Sequence, residues 1–147
     1  MANKKEQLKN EMKLRLPSLS VNEGVARATV AAFCAQLDPS SSDLADIKCV
    51  VSEAVTNCIV HAYKDKIGDI SVVCELYEEN IVKIKIRDRG CGIADVKQAM
   101  EPLFTTGGEE RAGLGFAVME SFMDKIKVSS AINRGTTVTM EKKISSR

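Results

Sequence analysis

The sequence has no surplus of charge. Its 21 Lys and Arg stand against 20 Asp and Glu, a formal net charge of +1. That balance argues against bulk electrostatic binding to nucleic acid or to a membrane surface as the basis of function. Long apolar runs are missing as well. The longest, Val30–Ala35, falls far short of a membrane span. The polar start Met1–Glu6 lacks the apolar region of a signal peptide, so a cytoplasmic protein is expected. Cysteine is present but unpatterned: Cys34, Cys49, Cys58, Cys74 and Cys91 are odd in number, with no C-x-x-C and no Cys/His cluster. This weighs against a zinc site and against a disulfide framework. Four of them fall among apolar residues and read as small buried hydrophobes, whereas Cys91 lies between two glycines. Repeats, low-complexity segments and linkers are absent. With 44% hydrophobic and 28% charged residues, the expectation is one soluble globular domain over 1–147, with 1–9 a frayed polar start.

What the chain does contain is periodic. Met12, Leu14 and Leu16 alternate with Lys13 and Arg15, a half-buried strand ending at Pro17. Ser20-Val21-Asn22-Glu23 has the form of a capping box ahead of a helix reaching about Leu37, with Arg27 on its polar side. A second helix runs from a loop and helix start at Asp38–Asp43, with several possible N-caps, to Ala62 or Tyr63. Its apolar half includes Ile47, Val50, Val51, Ala54, Val55 and Cys58. Glu53, Asn57 and His61 recur at i, i+4 and i+8, one polar stripe along the margin of that half. A carboxylate can accept a proton, and an amide oxygen can ligate a hard cation. A half-exposed polar margin explains the stripe equally well from this helix alone.

A hairpin follows. Ile70, Val72, Cys74 and Leu76 form one inward set, and Val82, Ile84 and Ile86 form the next. Two residues further in the same phase comes Asp88, a carboxylate aimed at the buried face at a strand end. Gly90 and Gly92 then allow close backbone approach. Residues 102–110 are polar and rich in Gly and Thr, a loop pattern. Arg111-Ala112-Gly113-Leu114-Gly115 leads into a helix carrying Phe116, Val118, Met119, Phe122 and Met123. Glycines at a helix start expose N–H groups to an anion. Neither a Walker A nor a Rossmann pattern is present. A second hairpin closes the chain, with Thr136 in phase with Val138 and Met140. Strand, helix, helix, hairpin, loop, helix, hairpin is the order of an α+β two-layer sandwich.

In that order, Glu53-x-x-x-Asn57, Asp88-x-Gly90-x-Gly92, Arg111-x-Gly113-x-Gly115 and Gly135-Thr136 resemble the nucleotide-binding boxes of the GHKL (Bergerat) ATPase superfamily. Val51–Asn57, Pro102–Thr106 and Gly113–Phe116 resemble the anti-sigma-factor serine kinases within it. The resemblance spans roughly Met12 to Met140. It implies a mixed sheet with helices on one face, holding ATP or ADP with Mg²⁺. It implies Asp88 and Thr136 at the adenine, Asn57 on Mg²⁺, and Glu53 as general base toward a serine hydroxyl. Gly90 and Gly92 would shape the adenine loop, and Thr105, Thr106, Arg111, Gly113 and Gly115 the lid and phosphate contacts. It further implies a homodimer joined through the N-terminal strand. Its partners would be an RNA polymerase sigma factor of the sporulation sigma-F type, held inactive, and an anti-anti-sigma protein, phosphorylated on serine. Arg27 matches a position used for both. A binding module with structural ATP, or an ATPase or histidine-kinase fragment, are the other functions compatible with these residues.

Overall fold

The structure, a computed structural model, describes residues 7–94, 96 and 114–145. The sheet is built from β1 (Leu8–Pro17), β2 (Asp69–Tyr77), β3 (Ile81–Asp88), β4 (Lys125–Ala131) and β5 (Gly135–Lys143) in the order β1-β2-β3-β5-β4. Helices α1 (Asn22–Cys34), α2 (Ser41–Asn57) and α3 (Leu114–Phe122) pack on one face of it. The α+β two-layer sandwich expected from the element order is therefore the fold. Strand β1 begins earlier than the frayed start suggested, with Leu8 already paired to Tyr77.

All pairings among the described residues are antiparallel, which corrects the expected mixed sheet. The connections give the reason. Strands β2 and β3 are joined by a tight turn in which Glu79 (φ 66°) and Asn80 (φ 62°) both take the left-handed conformation that matches strand twist. Helices α1 and α2 return the chain to the sheet end it left, where Pro17 pairs with Asp69, so β2 must run back along β1.

The strands alternate as their sequences require. Ile70, Val72, Cys74 and Leu76 of β2 and Val82, Ile84 and Ile86 of β3 are buried against Ile47, Val50, Val51 and Val55 of α2. Met119 of α3 and Met140 of β5 complete this layer. No helix among the described residues is long and apolar enough to cross a membrane.

Two local expectations are corrected. The capping box before α1 does not form: Val21 is the cap residue, without a side-chain bond. The Glu23 carboxylate is instead taken by Arg27 and by Ser52 of α2, so a tertiary partner displaces the local one. Helix α2, capped by Ser40 Oγ accepting from Asp43 N–H at 3.1 Å, ends as an α-helix at Asn57. Cys58–Ala62 continues as a π-helical turn, with Tyr63 N–H donating to Cys58 O at 3.1 Å. The wider turn frees carbonyls for the loop after β3. Cys91 N–H donates to Ala62 O at 3.1 Å, and the Cys91 thiol donates to His61 O at 3.3 Å. Such turns recur at functional sites.

Candidate nucleotide site

The end of β3 brings Asp88 under the helical layer. It is 5% exposed, and Thr136 lies directly opposite it on β5 at 8%. Asp88 Oδ1 accepts the Gly90 N–H at 2.9 Å and the Thr136 N–H at 3.2 Å. Among the described residues, Oδ2 has only the Cys58 thiol, a weak donor, at 3.6 Å. One carboxylate oxygen is thus saturated, and the other is open to a better donor.

Gly90 and Gly92 let the following loop lie flat on its neighbours. A β-carbon at Gly90 would meet Ala62 O at 2.4 Å, and one at Gly92 (φ 78°) would meet Ala131 O at 2.1 Å. Gly135 has φ 104°, and a β-carbon there would lie 2.1 Å from Asp88 O. Gly135→Ala is therefore expected to cost about 3 kcal/mol or more. Urea unfolding of the variant checks this, and an unchanged midpoint would contradict it.

Between α2, the π turn, β3, β5 and the start of α3 lies a cavity of about 180 Å³. Its walls include Ile86, Phe116 and Val138, its polar end is Asp88 and Thr136, and Asn57 and His61 face it from α2 and the π turn. An apolar slot with one acceptor-rich end suits a flat heteroaromatic ring bearing an amino group.

The stripe on α2 meets the start of α3 at a glycine. A β-carbon at Gly115 would stand 3.1 Å from Asn57 Nδ2 and 3.2 Å from Glu53 Oε1. The bare Cα thus lets a helix start approach an amide and a carboxylate together. Asn57 Nδ2 is buried without a hydrogen-bond partner among the described residues. A buried amide donor left unmatched is costly unless a ligand oxygen completes it.

Burial raises the Asp88 carboxyl above its ordinary value of 3.8, the three hydrogen bonds opposing it only in part. Between the ordinary and the raised pKa the folded chain keeps a proton that the unfolded chain has lost. This group's contribution to stability is therefore greatest in acid and falls as pH rises through the raised value. Binding of an amino donor has the opposite sense, because it needs the ionised acceptor. Affinity for such a donor should therefore weaken as the pH falls from neutral through the raised Asp88 value. Calorimetric titration across that range tests this, and a flat profile would contradict it.

Of the residues singled out from the sequence, Asn57, Asp88, Gly92 and Thr136 line the cavity; Gly90, Gly115 and Glu53 border it. Thr105, Thr106, Arg111 and Gly113 lie outside the described residues. Arg27 lies on the polar side of α1, donating to Glu23 Oε2 at 2.6 Å and Ser52 Oγ at 3.3 Å. It does not line the cavity.

Three supporting residues were not foreseen. Ser130 Oγ accepts the Ile93 N–H at 2.8 Å and lies 2.8 Å from Thr136 Oγ1, tying the glycine loop to β5. Its register opposite Thr136 was the available signal. Cys58 supplies the thiol on Asp88. Tyr63 Oη donates to Asp69 O at 2.7 Å and accepts the Arg89 N–H at 2.6 Å, bracing the strand ends.

The family described as histidine kinase-like ATPase domain matches residues 16–142. The anti-sigma F factor of Geobacillus sp. (strain WCH70) is 50% identical over 138 residues, 93% of this chain and 94% of that protein. The anti-sigma F factor of Caldanaerobacter subterraneus subsp. tengcongensis is 54% identical over 136 residues, 92% of this chain and 94% of that protein. Among solved structures, the RsbU and RsbW domains of Rv1364c from Mycobacterium tuberculosis have a TM-score of 0.69. That likeness is at 21% identity and covers 92% of this chain and 32% of that one. The histidine kinase domain of the Erythrobacter litoralis EL346 blue-light activated kinase gives 0.58 at 17% identity, over 83% of this chain and 61% of that one. Both likenesses to solved structures bear on the fold alone. On family match and sequence identity together, the chain belongs to the histidine kinase-like ATPase domain family and, within it, to the anti-sigma F factors.

Proposed function

We propose that this protein is a nucleotide-dependent anti-sigma factor and a protein serine kinase. It holds an RNA polymerase sigma factor of the sigma-F type and phosphorylates a serine of an anti-anti-sigma antagonist. The observation that carries the reading is the meeting at Gly115, where an amide, a carboxylate and a helix start converge beside the Asp88 cavity. The unmatched Asn57 amide and the room left by Gly115 fit a phosphate-bearing ligand.

In this reading ATP with Mg²⁺ supplies the transferable phosphoryl group and neutralises its charge when bound. Asp88 Oδ2 accepts the adenine amino group, and Thr136 assists at the same edge. Asn57 offers its amide oxygen to the cation. Among the described residues no three His, Cys, Asp or Glu side chains cluster as metal ligands. The remaining ligands would then be phosphate and water oxygens, the usual preference of Mg²⁺. Glu53 would take the proton of the incoming serine hydroxyl as the serine oxygen bonds to the γ-phosphorus and the bond to the departing ADP oxygen breaks. Thr105, Thr106, Arg111 and Gly113 belong to the lid and phosphate contacts with Gly115. Arg27, bound to Glu23 beside the catalytic helix, offers its guanidinium to either protein partner. The working form is a cytoplasmic homodimer joined through β1, acting without direct nucleic-acid or membrane contact.

Sedimentation of the purified chain with a sigma-F-type sigma factor tests the holding role. Co-sedimentation with MgATP or MgADP and not without nucleotide is expected. No association in either condition would overturn it.

A further inference from the structure

The sheet face turned away from the helices carries an unbalanced block of cations. Two registers run across all the strands: Lys13, Val73, Lys85, Thr139, Lys127, and Arg15, Ser71, Arg87, Thr137, Ser129. Lys13, Lys85, Lys127, Arg15 and Arg87 are exposed, and neither row contains an acidic residue. The neighbouring row differs: there Lys125 pairs with Glu141 at 3.8 Å, and Lys83 lies over the Tyr77 ring at 5.3 Å. In a chain of net charge +1, this is segregation of charge rather than excess.

At one end of the block the surface becomes concave. A recess of about 240 Å³ is lined by Arg15, Arg87, Arg89, Asp69 and Ser71. Three guanidinium groups around one hollow repel each other unless an anion sits among them. Only Arg15 has such a partner, Asp69 at 3.0 Å; Arg87 and Arg89 make no ion pair among the described residues. Asp69 also indicates the chemistry the hollow accepts, a carboxylate met by a guanidinium donor. The recess lies behind the nucleotide cavity, because Arg87 and Arg89 flank Asp88 and the strand turns alternate side chains to opposite faces.

We propose that this recess and the cation rows beside it dock an acidic, carboxylate-rich segment of a partner protein. An acidic polypeptide fits better than nucleic acid. The two rows contain no aromatic ring on which a base could stack, and no described helix rises from this face to enter a groove. Small Ser, Thr and Val side chains stand between the cations, so an extended acidic chain can lie across them.

The probe is a fluorescein-labelled oligoglutamate peptide, followed by anisotropy at low salt against the full chain. Wild type and Lys48→Glu, a reversal on exposed α2 surface, should bind it equally. Arg87→Glu/Arg89→Glu should bind it about tenfold or more weakly, and added salt should weaken the wild type. The neutral pair Arg87→Gln/Arg89→Gln should fall between. Unfolding midpoints close to wild type would separate lost binding from lost folding, since both side chains are exposed. Three results would overturn the proposal: no peptide binding, equal binding by the reversed variant, or tighter binding of charge-matched duplex DNA than of the peptide.

Discussion

Asp88→Asn should leave the chain folded and cost it about a hundredfold or more in ATP affinity. The amide keeps an oxygen where Oδ1 accepts the Gly90 and Thr136 N–H groups, so the loop and the β3–β5 end stay joined. It places an NH₂ group where Oδ2 stands, and in the proposed complex a donor there would face the amino donor of adenine. Both are then buried without an acceptor, which penalises the complex and not the free protein. Asp88→Ala behaves differently. It strands two backbone donors as well, and should lower stability by about 1–3 kcal/mol in addition to losing the nucleotide. Calorimetric titration with MgATP and thermal unfolding of both variants separate these effects. Retained ATP affinity in Asp88→Asn would remove Asp88 from the site.

Glu53→Ala should bind ATP within a few-fold of wild type and transfer phosphate about 10²–10⁴-fold more slowly. Glu53 borders the cavity without lining it, so its loss leaves the adenine contacts untouched. As the proposed general base, its task would arise only when a hydroxyl must lose a proton, which would make it a transition-state residue rather than a binding one. Glu53→Gln should behave alike, since the amide retains shape and loses basicity. Single-turnover transfer with saturating partner reads the chemical step. A wild-type rate in either variant would remove the base from Glu53.

Much of this site could be read before any coordinates, because strand phase is rigid. Asp88 and Thr136 share parity with Ile86 and Val138, and parity alone sends them inward. The α2 stripe was equally legible, since residues four apart share a helix face. What escaped depends on contacts between elements. The S-x-x-E before α1 is locally a cap, yet Glu23 is claimed by Ser52 and Arg27. The π turn at Cys58–Ala62 is bound up with carbonyls used by Cys91, far along the chain, and no local propensity encodes it. Strand direction followed from where α1 and α2 return the chain, which periodicity does not record. Ser130 looked like an ordinary strand serine until its register put it beside Thr136. The meeting of Gly115 with Glu53 and Asn57 required the packing of α3 on α2, although each residue was singled out separately.

The central claim is that nucleotide held at Asp88 is used by Glu53 on a protein serine. Its most direct test is incubation of the purified chain with Mg²⁺, γ-labelled ATP and an anti-anti-sigma partner, followed by mass spectrometry of that partner. A single phosphoserine on the partner, dependent on the wild-type chain, is the predicted result. ATP bound with no phosphate delivered to any serine would contradict it and leave a module in which the nucleotide is structural.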